Sequence, residues 1–272
     1  MSTTGGKGEF RVGGVIKRSF SILLTNAAPF GLLALLITVP GLLLAWGSAP
    51  PAPAAEAGNY SINFSFGAEF SSILDFFLAF VLTAALTYGS FQALKGRKGE
   101  LFDYMAKGLT FVLPVLAIAF VLVLLLAALV ALFAGTAVLG QQISNLLPII
   151  ALPLIVVLGF YVYIGLWAAI PVVVVERPGV FNALRRSWDL ANGYRWRIFA
   201  VLLILIVIQM VLGAAVDILA AVLRNTALIS IIGWVQSAFV SALFAVCATV
   251  GYHDLRVAKE GIGVDEIAAV FD

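Results

Sequence analysis

The sequence predicts an all-α polytopic transmembrane bundle, with about six membrane-spanning helices and short interfacial helices at one surface. Three observations carry that expectation. Of 272 residues, 62% are hydrophobic and 11% are charged, with a mean hydropathy of +1.10. An average soluble chain is about 25% charged, and a soluble domain of this size needs that polarity to cover its surface. Second, no charged residue occurs between Lys107 and Glu176. Such a stretch is too long for one span of about 20 residues and suits two spans with a turn. Third, the apolar runs are continuous, whereas a membrane barrel alternates polarity in segments of about 10 residues. Only a helix satisfies its own backbone along a continuous apolar run in lipid.

The elements follow in order along a single transmembrane domain, 1–272. The first span is expected at residues 20–46, interrupted by Asn26, Pro29 and Pro40. A Pro- and Ala-rich loop follows at 47–67, with a composition suited to an extended connection. The second span is expected at 70–94, the third at 109–133 and the fourth at 147–175. Gly135 to Asn145 supplies the turn between the last two. The fifth span is expected at 198–223 and the sixth at 228–252, with Arg224-Asn-Thr226 as their turn. A polar tail, 253–272, closes the chain. Lys17 and Arg18 precede the first span much as they would precede a signal peptide. Signal cores run only about 7–15 residues, so this longer run is read as a retained span.

Charge sets the orientation. Lys7, Arg11, Lys17 and Arg18 precede span one, and Lys95, Arg97, Lys98 and Lys107 follow span two. Arg177, Arg185, Arg186, Arg195 and Arg197 lie between spans four and five, and Arg256 and Lys259 follow span six. Fifteen of the sixteen basic residues therefore fall on one side, with Arg224 alone on the other. Positive residues stay cytoplasmic. Both termini are thus expected inside and loop 47–67 outside. An odd number of spans would destroy the asymmetry.

The segments after spans two, four and six look alike. Lys98-Gly99, Pro178-Gly179 and Glu260-Gly261 each introduce a short amphipathic stretch. Val15-Ile-Lys-Arg-Ser-Phe20 also resembles Ala183-Leu-Arg-Arg-Ser-Trp188. This reads as three copies of an interfacial helix followed by a transmembrane hairpin, in parallel repeats. The alternative is chance similarity between basic amphipathic helices. The segment after Gly179 is the clearest. Val180, Phe181, Leu184, Trp188 and Ala191 fall on one helical face, expected to lie in the acyl boundary. Arg185, Arg186, Asp189 and Asn192 lie around the other side, towards headgroups.

Candidate lipid or partner contacts are therefore Arg185, Arg186, Trp188, Arg195, Trp196 and Arg197. A second candidate cluster is outer and polar: Asp75, Asp217 and Arg224. An aspartate at a helix centre costs about 2.5–3.5 kcal/mol on insertion scales, and less near the interface. These carboxylates either face a bundle interior or wet cavity, or sit in the outer headgroup region. Gly213, Asp217 and Ala221 form a small-residue stripe where another helix could approach, and Ala127, Ala131 and Gly135 form another. His253, the only histidine, is expected as a wetted interfacial residue. Cys247, the only cysteine, is expected as a small buried hydrophobe, so no disulfide within the chain is possible. Gly5-Gly-Lys-Gly8 lacks the spacing of a phosphate loop. No constellation suggests a catalytic centre, a metal site or a cofactor.

The block Val175-Glu-Arg-Pro-Gly-Val180, Ala183-Leu-Arg-Arg-Ser-Trp188, Gly193 and Arg195-Trp-Arg197 resembles a known family. So does the ending Tyr252-His-Asp-Leu-Arg256, Lys259-Glu-Gly261 and Phe271-Asp272. The chain is similar to bacterial membrane proteins grouped with the membrane domain of glycerophosphoryl diester phosphodiesterases, and more loosely to YciC-like proteins. The resemblance implies a bacterial inner-membrane protein, mostly of undefined function. In family members that hydrolyse phosphodiesters, a separate soluble domain carries the catalysis. This chain has no room for one and lacks its His and acidic clusters, so the enzymatic label does not transfer. The expected role is a non-catalytic accessory or scaffolding module. Its expected partners are membrane lipids, including anionic headgroups, and an unidentified membrane protein, but not nucleic acid. The rival is a small-solute transporter or channel subunit using Asp75 and Asp217.

Overall fold

A computed structural model describes residues 10–47, 66–97, 101–142, 146–223 and 225–261. Among them the chain is all helical, with ten helices: α1 Val12–Thr25, α2 Ala27–Gly47, α3 Phe66–Leu94, α4 Leu101–Thr110, α5 Val112–Gln142, α6 Leu146–Leu166, α7 Ala169–Val175, α8 Val180–Ala191, α9 Arg195–Leu223 and α10 Thr226–Glu260. Five segments are long and apolar enough to cross a membrane, α6 and α7 together making one of them. The bent pair α1–α2 brings the number to six.

Proline sets the breaks. Pro29, Pro114, Pro148 and Pro171 each occupy the third position of α2, α5, α6 and α7. A proline has no N–H to continue the preceding ladder, yet is harmless in a first turn, where that N–H has no helical partner. At Asn26 the chain turns by 86° between α1 and α2. The first apolar run, expected as one span at 20–46, is thus split, and residues 20–25 belong to α1. The expected fourth span is likewise α6 and α7, parted at residues 167–168. Helix α5 continues to Gln142, through much of the expected turn Gly135–Asn145. Helix α10 continues to Glu260, so the polar tail begins as helix rather than coil.

An amphipathic helix precedes a long apolar pair three times: α1 before α2–α3, α4 before α5–α6, and α8 before α9–α10. This is the order expected of three parallel units. The copies part at their glycines. Gly179, at φ 86°, is the N-cap of α8, whereas Gly261, at φ 68°, closes α10 in the left-handed region. Gly99, Lys98 and the residues after Gly261 lie outside the described residues, as do loop 48–65 and Arg224.

The core occupies one end of the bundle. Val15, Ser19 and Leu23 form the buried stripe of α1, at i, i+4 and i+8. They join Phe30 and Leu33 of α2, Leu82, Ala85 and Leu86 of α3, Ile198 to Leu205 of α9, and Ala238 to Leu255 of α10. A second cluster unites Phe111, between α4 and α5, and Val115 of α5 with α7, with Ala183 and Leu190 of α8, and with Tyr252. Away from this end, α5 and α6 expose their leucines, isoleucines and valines, as do the second half of α9 and the first half of α10. Lipid tails are as apolar as leucine, so such faces need no protein cover in a membrane.

Candidate functional site

The helix ends that carry the basic residues meet, and their charges pair. Glu176 follows α7, and its carboxylate accepts from Arg186 Nε of α8 at 3.1 Å and from the Tyr252 hydroxyl of α10 at 2.8 Å. The same hydroxyl accepts from Arg256 Nη1 at 3.1 Å, which lies 3.7 Å from Glu176 Oε1. Glu260 accepts from Arg256 Nε at 3.1 Å and from Arg186 Nη2. Burial alone would lower the Arg186 guanidinium pKa. The charge of Glu176 and hydrogen bonds to Glu260 and Glu176 outweigh it and raise the pKa above its ordinary value. Nearby, Asp254 takes Arg18 of α1 and lies 3.3 Å from His253 Nδ1. This network ties α1, α7, α8 and α10 into one basic end. Only part of it is legible beforehand: Tyr252, Arg256 and Glu260 lie at i, i+4 and i+8 on one face of α10.

The expected interfacial contacts divide. Arg185 and Trp196 are exposed, Trp196 by 83%. Arg186 turns inward to the two glutamates instead of outward to headgroups. Trp188 also turns inward. A Cβ on Gly165 of α6 would lie only 2.3 Å from its ring, so the indole occupies the notch left by that glycine. Arg195 is half-buried. Its guanidinium lies 4.0 Å from the Tyr161 ring centroid and 4.4 Å from that of Trp188, a stacked cation. Arg197 donates to the Phe10 carbonyl at 2.9 Å.

The face of α8 buried against protein is the small-residue one, and of the large residues expected in the acyl boundary Phe181 is left open while Trp188 is not. Ala183, Ser187, Leu190 and Ala191 are buried, while Phe181 is 80% exposed. The Ser187 hydroxyl donates to the Gly165 carbonyl at 2.9 Å. Small side chains permit that close approach to α6, and large ones do not. His253 is 7% exposed, buried rather than wetted. Cys247 is buried, as its place in an apolar run predicts.

Of the expected outer polar cluster, only the Asp217 side chain falls among the described residues. Asp217 is exposed on α9, the Asp75 side chain on α3 lies outside the described residues, and so does Arg224. The small-residue stripes are not close helix contacts: a Cβ on Gly213 or Gly135 would meet nothing within 4 Å. The tight crossing lies elsewhere, where a Cβ on Gly108 of α4 would come 2.6 Å from Ala85 Cβ and 3.0 Å from its Cα on α3.

A polar cleft runs between α3, α9 and α10. Thr83, Gln209, Gln236, Ser237 and Ser241 line it, with a volume of about 290 Å³. Neutral amides and hydroxyls inside apolar helices can bind a polar solute without the cost of a buried charge.

No match was found among curated proteins or among solved structures. The model of a domain of unknown function, DUF7847, matches residues 10–255. That stretch runs from the buried Phe10 through every helix to the last turns of α10, so this membrane-helix chain belongs to the DUF7847 family, whose function is undefined.

Proposed function

We propose that this chain is a non-catalytic module of a bacterial cytoplasmic membrane, an accessory or scaffolding protein that engages lipids at its basic end. Both termini lie in the cytoplasm on this reading, and a membrane protein is the partner expected. The observation that supports it is the collar at that end. Phe102 of α4, Phe181 of α8 and Trp196 of α9 are 79%, 80% and 83% exposed. Exposed Lys107 and Arg185 lie on the same helices. Exposed aromatics beside cations suit the acyl–headgroup boundary of an anionic leaflet. The paired Glu176, Arg186, Arg256 and Glu260 hold helices together, which suits a scaffold. The hydrolytic label of the resembled phosphodiesterases is not part of this proposal.

Extraction in native-lipid nanodiscs tests the reading. Anionic lipid should be enriched around the wild-type chain, and the triple change Phe102→Ser, Phe181→Ser and Trp196→Ser should abolish the enrichment while the chain stays folded. Enrichment unchanged in the triple variant would sink the proposal.

The polar cleft favours a second reading, transport of a small neutral solute. It shifts the candidate path from Asp75 and Asp217 to Gln209, Gln236 and Ser241. Uptake into proteoliposomes that is lost on Gln209→Leu with Ser241→Ala would replace the accessory reading by this one.

A further inference from the structure

A cavity of about 360 Å³ opens at the basic end; of the collar's residues only Lys107 lines it, and none of the paired glutamates and arginines does. Its lining includes four cations from three places in the chain: Lys95 and Arg97 just after α3, Lys107 in the last turn of α4, and Arg177 just after α7. Its floor is apolar, built from Phe91, Val174 and Val175, with Tyr88 and Gln92 beside them. Among the described residues that line it, there is no carboxylate.

Backbone geometry holds the cations there. Helix α3 ends in a Schellman motif: Arg97 N donates to the Gln92 carbonyl and Gly96 N to the Ala93 carbonyl, both at 3.0 Å. Gly96 adopts φ +70°, which turns the chain back over the helix end. The motif thereby satisfies the Gln92 and Ala93 carbonyls. Arg177 adopts φ 52°, the one left-handed non-glycine among the described residues, and it precedes Pro178. Such backbone persists only where the surroundings enforce it, and it concentrates at binding sites. Its guanidinium lies 4.9 Å from the Phe111 ring centroid, and Lys95 Nζ lies 5.1 Å from that of Phe91. Rings thus help position two of the four charges beside the cavity.

We propose that this cavity binds a phosphate-bearing anion. Four converging cations match a multiply charged oxyanion, and an arginine fork suits phosphate oxygens in particular. The apolar floor would receive a short apolar portion of the same molecule. A membrane lipid and a soluble phosphate compound both carry such a phosphate, and the chemistry of recognition is shared. The inference holds for a scaffold and for a transporter alike, and unchanged binding in folded double variants would overturn it while leaving the proposed function standing.

The test uses the full chain in two kinds of nanodisc. In purely zwitterionic discs, inorganic phosphate is titrated by calorimetry. In discs containing phosphatidylglycerol, the lipid retained on the protein is counted by native mass spectrometry. The variants are Lys107→Gln with Arg177→Gln and, on exposed positions only, Arg97→Gln with Lys107→Gln. Lys17→Gln, at an exposed position of α1 outside both the cavity and the collar, is the control. Each double variant should weaken binding about tenfold or more, and the control should not. Phosphate binding in zwitterionic discs supports the proposal and assigns a soluble source. Retention of phosphatidylglycerol without phosphate binding supports it and assigns a headgroup. Binding in neither arm overturns it, as does an equal loss in the Lys17→Gln control or unchanged binding in folded double variants.

Discussion

Glu176 is the residue on which the basic end converges. Its carboxylate meets Arg186 of α8 and both Tyr252 and Arg256 of α10, and it is only partly exposed. Glu176→Gln keeps the shape but leaves two arginines short of a counter-charge. Because these groups are part-exposed, the expected loss is about 1–3 kcal/mol rather than the larger cost of a fully buried pair. Thermal unfolding in detergent should show this as a clear fall in Tm. Asp217→Asn in the same assay should change stability by less than about 0.5 kcal/mol, because Asp217 is exposed and makes no such contacts among the described residues. A Tm fall for Asp217→Asn as large as that for Glu176→Gln would show that the outer carboxylate is structural after all.

Helices α4 and α8 show how the interfacial elements are seated. Each presses small residues against a neighbour: Gly108 on Ala85 for α4, and Ser187 with Ala183 and Ala191 against α6 and α7 for α8. Hydropathy assigns the large apolar residues to the acyl boundary and does not say which residues face protein. Packing selects the small ones, because lipid already satisfies the large. Gly108→Ala would drive a methyl into the Ala85 backbone, which no rotamer change relieves, and should cost about 1–3 kcal/mol. Gly213→Ala meets open space in mid-helix and should be neutral or stabilise by up to about 1 kcal/mol. Urea midpoints for the two variants should move in opposite directions, or only the first should move. Equal shifts would refute the assigned crossing.

At the scale of the whole chain, three amphipathic helices, each leading into a long apolar pair, share one basic end. On the proposed orientation that end is cytoplasmic. In a Cys247→Ala background, Ala227→Cys at the exposed start of α10 should react with an impermeant thiol reagent applied to intact cells. Asn182→Cys, exposed on α8, should react only after the membrane is opened. Labelling of Asn182→Cys in intact cells would reverse the orientation. The open apolar surfaces of α5 and α6, and of the distal parts of α9 and α10, accord with lipid contact over much of the membrane depth.

The amino-acid sequence by itself determined the all-helical class, the apolar spans and the crowding of basic residues into alternate connections. These are sums over short windows, and hydropathy adds locally. It also carried the breaks at Asn26 and Pro29, because a missing N–H acts within one turn. The tertiary structure alone decided which face of α8 is buried, where Arg186 and Arg195 point, and which charges line the cavity. Those outcomes depend on partners far along the chain. Arg186 and Glu260 are 74 residues apart, Glu176 and Tyr252 are 76, and Arg18 and Asp254 are 236. No local window holds both members of such a pair, and only the packing of the helices brings them within hydrogen-bond reach.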